Sequence, residues 1–389
     1  MDEVKGFFRE GAQFFEEHGA GFTAAEIAQQ PRLWVELGTQ MAARADEIAA
    51  FLARAKERRV IFTGAGSSAF IGDALAPLIA KDFGLRAESI PTTELVSAPH
   101  SFLFADVPTL LVSFARSGNS PESFGALEYA RGIVTDLYEV AITCDGSARL
   151  AELTAASETS LLLVMPEGSN DRGFAMTSSV SCMMLAGYLL LAGDARAGIT
   201  DDIAGLARNL NAAAWSLSEA AARCAAWNFD RIAYLGSGFL KHIAHEASLK
   251  MMELTNGTVN GTFESATGFR HGPKSMIKDT TLTVHLISPD PFTARYDIDL
   301  LREVCGQKKQ NQIVAIAAAD AGELAGDEVV RVAPRTRDIC AGLEMLAFCQ
   351  MLALYKSLAL GVATDDPSPT GEVNRVVKGV TIYPLTERA

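Results

Sequence analysis

The sequence predicts an α/β protein in which one unit, a buried-type strand followed by a glycine turn and a helix, occurs twice in tandem. Three observations carry this. Arg59-Val60-Ile61-Phe62-Thr63-Gly64-Ala65-Gly66 recurs as Arg231-Ile232-Ala233-Tyr234-Leu235-Gly236-Ser237-Gly238, and the strand Thr109–Val112 recurs at Thr283–Ser288. Each glycine turn runs into a helical pattern, so each copy reads as a strand whose carboxyl end meets a helix N-terminus. Finally, 389 residues exceed one ordinary core and suit two to three domains. The expected boundaries are a helical arm at 1–47, a first copy at 48–213, a second at 214–363 and a tail at 364–389.

In the arm, Thr23-Ala24-Ala25-Glu26 has capping-box spacing, with Thr23 as N-cap of a short helix that ends at Gln30-Pro31. Trp34 and Leu37 open a longer amphipathic helix expected to reach about Ala55. The first copy follows. Arg59–Thr63 is its strand, Gly64-Ala65-Gly66 its turn, and Ser67-Ser68 are expected to cap a helix to about Lys81. A glycine turn feeding a helix presents unpaired amides to an anion. Taken alone the pattern is also a weak dinucleotide fingerprint with Glu88 or Glu94 as its acid. The next loop, Ser113 to Glu122, gives a better account. In it Arg116, Ser117, Gly118, Asn119 and Ser120 precede Pro121 at the start of a helix, and hydroxyls three residues apart around a glycine make a nest for phosphate oxygens. Gly66, Ser67 and Ser68 at a neighbouring strand end strengthen it, because open α/β sheets bind ligands at the carboxyl ends of strands.

The second copy has diverged. Its corresponding loop, Ser288-Pro289-Asp290-Pro291, is poor in donors and carries a carboxylate, so phosphate is expected at the first copy only. Its helix instead carries Glu246, Lys250 and Glu253, spaced to lie on one face among Ile243, Ala244, Ala247, Leu249, Met251 and Met252. A Glu-x-x-x-Lys pair is usually a solvated helix face, but these apolar neighbours point to a site lining. Beyond it, Gly268-Phe269-Arg270-His271-Gly272-Pro273 holds one histidine between backbone breakers. His242 and His245 resemble a metal pair only at a glance, for no third ligand is in view.

Composition narrows the function. A formal charge of −13 disfavours nucleic acid and anionic lipid over most of the surface, leaving an anionic metabolite held in a local pocket. The six cysteines are scattered without a C-x-x-C, so reduced thiols are expected and neither disulfides nor zinc. No run of some 18 apolar residues or secretory start is seen, which gives a cytoplasmic protein as the expectation. Residues 1–47 hold few basic residues and several acidic ones, which disfavours a DNA-binding helix-turn-helix head there.

The double repeat, the loop Ala115-Arg116-Ser117-Gly118-Asn119-Ser120, the Glu-x-x-x-Lys-x-x-Glu helix and Arg270-His271-Gly272-Pro273 together resemble the sugar isomerase (SIS) fold. Within it the chain is similar to the isomerase half of glucosamine-6-phosphate synthase. It looks closest to the tagatose-6-phosphate ketose/aldose isomerase family, now regarded as galactosamine-6-phosphate deaminase/isomerases, through Phe22-Thr23-x-x-Glu26-Ile27-x-x-Gln30-Pro31-x-x-Trp34 and Gly268 to Lys274. The resemblance implies two tandem SIS domains, each a mainly parallel, doubly wound, flavodoxin-like sheet flanked by helices. It implies that Glu253 shuttles a proton between C1 and C2, that His271 opens the sugar ring from the partner subunit of a homodimer, and that Lys378 in the tail approaches the carbonyl carbon. No cofactor or metal is implied. Ala115 departs from the serine usual in the synthases, with Arg116 the candidate to compensate. A synthase needs an N-terminal cysteine to release ammonia from glutamine; here the chain starts Met1-Asp2-Glu3, so the expected direction is deamination of a 2-amino-aldose 6-phosphate, with simple aldose/ketose isomerisation as the alternative.

Overall fold

β-Branched and aromatic runs too short for helices pair into two five-stranded sheets in a computed structural model that describes residues 3–334, 337–368, 370, 374–377 and 379–385. The chain divides into two compact units. One comprises Leu33–Asn170, Ser178–Asp201 and Gly371–Ala389, the other Met1–Arg32, Asp171–Thr177 and Asp202–Thr370.

The first unit holds β1 (Arg59–Thr63), β2 (Ala87–Ser89), β3 (Thr109–Ala115), β4 (Leu137–Thr143) and β5 (Ser160–Val164), all parallel, in the order β2-β1-β3-β4-β5. That is the flavodoxin-like order, whose switch point lies between β1 and β3. β3 is buried at every residue and runs three residues further than Thr109–Val112, because a central parallel strand is covered on both faces and its apolar run need not alternate. Ile61, Leu111 and Ala141 point to one face, against Ala126, Leu127 and Ala130 of the helix Pro121–Ile133. On the other, Phe62 and Phe114 meet with ring centroids 5.8 Å apart. The fully buried helix Ser178–Leu191 comes close there. A Cβ on Gly187 would stand 2.7 Å from Leu75 and 2.9 Å from the Phe114 ring, so only glycine permits that approach.

In the second unit β6 (Arg231–Gly236), β7 (Asn260–Glu264), β8 (Thr281–Leu286), β9 (Gln312–Ala318) and β10 (Glu328–Val332) are parallel in the order β10-β9-β8-β6-β7. Taken from the β7 edge this is the order of the first sheet, so the repeat seen in sequence is a repeat of topology. The turns match in backbone too: Gly66 has φ 57° and ψ −132°, Gly238 has φ 58° and ψ −128°. The helix Phe239–Leu254 packs on Asp338–Ala359, whose apolar length would suffice to cross a membrane. It is instead a core helix, 94% buried in its most apolar stretch. Its polar side chains find protein partners: Gln350 accepts from Gln30 at 2.8 Å, and Lys356 donates to the Trp227 carbonyl at 2.8 Å.

Several local expectations are corrected. The helix Gly21–Ala28 starts before Thr23, with Ala20 at its N-cap, so the capping box does not form. The carboxylate of Asp365, far along the chain, accepts instead from the Phe22 and Thr23 amides at 2.9 and 2.8 Å and from the Thr23 hydroxyl at 2.8 Å. Glu26 accepts from the amides of Arg172 and Gly173. Pro31 sits in the first turn of the next helix, Gln30–Ala43, and the expected helix to Ala55 breaks at Arg44 before Ala45–Arg54. Trp34, fully buried, donates its indole N–H to Ser181 at 2.9 Å. Ser67 and Ser68 lie inside the helix Ser67–Phe83 rather than capping it, and Gly66 is the N-cap. Phe7, Phe8 and Phe15 are buried, the last two against Tyr355.

Burial and the nearby Asp171 and Asp365 carboxylates push Glu26 up to about 8, against the two amide hydrogen bonds that favour its ionised form. An acid whose folded pKa is raised contributes stability at low pH that is lost as pH rises from its unfolded pKa toward the folded one. Wild type should therefore lose stability relative to Glu26→Gln between pH 5 and 8, by up to about 1.4 kcal/mol per unit. Urea denaturation of both proteins across that range measures it.

Candidate active site

The loops after β1 and β3 lie side by side because β1 and β3 are neighbours, paired Val60 with Leu110 and Thr63 with Ser113. Gly64 is held to the first helical turn so tightly that a Cβ would stand 2.6 Å from the Ser68 carbonyl. Ser67 and Ser68 are both buried beneath it. After β3, Gly118 takes φ 59°, and a Cβ there would meet Ala148 at 2.7 Å. The loop is cross-braced: the Gly118 carbonyl accepts from the Leu150 amide, and the Asn119 side-chain oxygen from the Arg149 amide at 3.1 Å. Ser117 is half-buried and Asn119 exposed. Ser120, N-cap of the helix Pro121–Ile133, makes no side-chain cap; its hydroxyl pairs with that of Ser123 at 2.6 Å. In the first turn Pro121 has no amide hydrogen and the Ser123 amide donates to the Ser120 carbonyl at 3.0 Å, so the hydroxyls of Ser117 and Ser120 are the loop's main donors toward an anion. Arg116 is buried, and its guanidinium donates to the Arg375 carbonyl at 2.7 Å.

The equivalent turn of the second unit is filled from within. Ser237 donates to Asp297 at 2.5 Å, and the other Asp297 oxygen accepts from the Ser288 amide at 3.0 Å. Burial raises this carboxyl to about 6, the two hydrogen bonds opposing. Asp290 caps the helix Pro291–Gly306 through the amides of Phe292 and Thr293. An anion arriving here meets the carboxylates of Asp290 and Asp297, whereas the first unit's loops carry the hydroxyls of Ser67, Ser68, Ser117 and Ser120, with one carboxylate, Glu122, in the first turn after β3. Sequence reasoning saw Asp290 but missed Asp297, which lies inside a helix with no local mark of its role.

On the helix Phe239–Leu254 the three charged residues do share a face. The Lys250 ammonium lies 3.3 Å from Glu246 and is hydrogen-bonded to Glu253. Lys250 and Glu246 are wholly buried, while the Glu253 side chain keeps 25% of its surface. Burial works to lower the Lys250 pKa, but the two carboxylates more than offset it and hold the ammonium above its ordinary range. Glu253 is therefore the one member of the row open to a substrate.

His271 follows the short helix Ala266–Phe269, whose N-cap Ser265 accepts from the Gly268 amide. Gly272 takes φ 123°, and Arg270 and Lys274 both pair with Glu303 on the helix Pro291–Gly306, bracing the loop on either side. His271 itself is exposed. Of the two helical histidines, His245 stacks on Phe263 at 3.8 Å, and no group of three metal-ligating side chains occurs among the described residues. Lys378 lies outside the described residues.

Residues 51–193 and 227–359 each match the SIS domain, and these stretches make up most of the chain. The chain belongs to the SIS family. Among its SIS relatives, the D-galactosamine-6-phosphate deaminase AgaS of Shewanella sp. (strain ANA-3) is 40% identical over 97% of this chain and 95% of its own. The protein of that name from Escherichia coli is 40% identical over 93% and 96%. The crystal structure of tagatose-6-phosphate ketose/aldose isomerase from Escherichia coli superposes with a TM-score of 0.86 at 37% identity, covering 93% of this chain and 96% of that one. The SIS fold and the two-copy organisation read from the sequence are thereby shown.

Replacing Lys250 by Met leaves Glu246 buried without its counter-charge. A loss of about 3–5 kcal/mol of unfolding free energy is expected, with Glu246→Gln in the same chain restoring part of it; urea denaturation gives both values.

Proposed function

We propose that the protein is an amino-sugar 6-phosphate deaminase/isomerase that converts galactosamine 6-phosphate to tagatose 6-phosphate and ammonia. The observation that carries the chemistry is the row Glu246, Lys250, Glu253, in which a buried ammonium holds one partly exposed carboxylate. The names of the 40% identical relatives support the substrate. In the open-chain sugar, Glu253 takes the C2 proton as O1 is protonated, giving a 1,2-enolamine. The same carboxyl returns the proton to C1, which leaves an imine at C2. Water adds to that carbon and expels ammonia, so the ketose phosphate forms with no redox change. Lys250 stabilises the charge on Glu253 throughout. Ser67, Ser68 and the amides and hydroxyls from Ser117 to Ser120 hold the phosphate. A non-amino aldose phosphate would pass through an enediol by the same groups, and the isomerase name of the E. coli structure favours this as the second reading.

We place His271 at ring opening, acting from one copy of the chain on substrate held by another. Its exposure on a braced loop supports this. Lys378 is assigned to the carbonyl carbon, as imine former or as electrostatic partner. A cytoplasmic location fits six cysteines that form no disulfide, five of them buried.

The deciding experiment measures ammonia release from galactosamine and glucosamine 6-phosphates beside ketose formation from the non-amino sugars. Ammonia from the galacto substrate is expected; ketose formation alone overturns deamination. Glu253→Gln should slow exchange of the C2 proton with solvent at least about 100-fold while sugar-phosphate binding changes little. Exchange at the normal rate would overturn Glu253 as the shuttle. In a mixture of Glu253→Gln and His271→Asn chains, activity above that of either alone is expected if sites are shared between copies.

A further inference from the structure

The described part of the C-terminal tail, residues 374–377 and 379–385, lies on the first unit as irregular chain with little packing. Val377 is 50% and Tyr383 72% exposed, and a cavity of about 590 Å³ lies between the tail and the elements beneath it, lined among others by Val96, His100, Glu122, Tyr129, Val380 and Leu385. A segment so thinly buried is placed by a few contacts rather than by a core. Those contacts fall into two groups. Near its end, Tyr129 donates to the Tyr383 carbonyl, and Ile382 packs where a Cβ on Gly125 would stand 3.1 Å away. At its beginning, Arg375 is held twice: its guanidinium donates to the Asn170 side chain at 3.1 Å, and its carbonyl accepts from Arg116 at 2.7 Å.

Arg116 comes from the phosphate loop itself, between Ala115 and Ser117. It is only 7% exposed, and its fork is turned to a backbone carbonyl of the tail. A planar, permanently charged donor makes a strong, directional bond to such a carbonyl. We propose that Arg116 is a positioning residue: it ties the tail to the phosphate loop, and so sets the segment that carries the reactive lysine instead of binding phosphate itself. The contact also makes the loop and the tail mechanically one piece, so order in the loop when phosphate binds is passed to the tail through this bond. Because the tail's part in turnover comes from the functional reading above, the inference rests on that reading for its kinetic consequence, though not for the contact.

The test uses the full chain, with Arg116→Ala, Arg116→Lys and Asn170→Ala. For Arg116→Ala, kcat for ammonia release is expected to fall about tenfold or more while KM stays within about twofold, the pattern of a lost transition-state alignment. Arg116→Lys should recover part of kcat, and Asn170→Ala, which removes the side chain that holds the Arg375 guanidinium, should lower kcat in the same direction. Inorganic phosphate should bind Arg116→Ala as it binds wild type. A tenfold weaker phosphate affinity with kcat unchanged would make Arg116 a phosphate ligand and overturn the proposal. Hydrogen exchange supplies a readout free of activity: peptides covering 374–385 should exchange faster in Arg116→Ala and Asn170→Ala while β1 to β5 stay protected. Unchanged tail exchange in both overturns the tie whatever the enzyme catalyses. A wild type that releases no ammonia from either amino sugar overturns the functional reading instead, and the exchange data still decide the contact.

Discussion

A buried ammonium between two carboxylates is the constraint around which the reactive unit is arranged. Taking Lys250 and Glu246 wholly out of water is costly, and only close pairing on one helix face offsets the cost. The helix Phe239–Leu254 meets the requirement by spacing the charges three and four residues apart, and Asp338–Ala359 seals the surroundings with apolar surface. Glu253, partly exposed at the end of the row, is then held by the ammonium it shares with Glu246. The cost of burial is tolerated because it fixes one carboxylate in one position, which proton transfer at carbon demands.

On the proposed reading, the two units divide binding and chemistry between two copies of one fold. Both keep the strand order, the positive-φ glycine and the close approach of turn to helix. What differs is the partner of the turn. In the first unit, serine hydroxyls stand at the carboxyl ends of β1 and β3. In the second, Asp297 supplies an anion from the chain itself and takes the Ser237 hydroxyl and the Ser288 amide. Binding is gained or lost at such a turn by changing side chains, with the backbone unaltered.

Carboxylates also knit distant parts of the reactive unit. Asp365 caps the helix Gly21–Ala28, and Glu26 from that helix holds the amides of Arg172 and Gly173. Neither contact is local, which is why Thr23 to Glu26 read as a capping box in sequence and proved otherwise. The spacing was right for a cap, but the helix had already begun at Gly21, and a remote carboxylate took the amides.

The sequence by itself determined the repeat, the strands Arg59–Thr63 and Arg231–Gly236 to within a residue, the glycine turns and the shared face of Glu246, Lys250 and Glu253. These are properties of nearest neighbours: strand period, helix period and the φ that only glycine takes easily. Tertiary structure alone decided that Asp297 fills the second turn, that Asp365 caps a helix it follows by hundreds of residues, and that Arg116 reaches the Arg375 carbonyl. Each joins groups far apart in the chain, and such a pairing is chosen by the topology of the sheet and the need to satisfy buried polar groups. A single sequence carries no local signal for either.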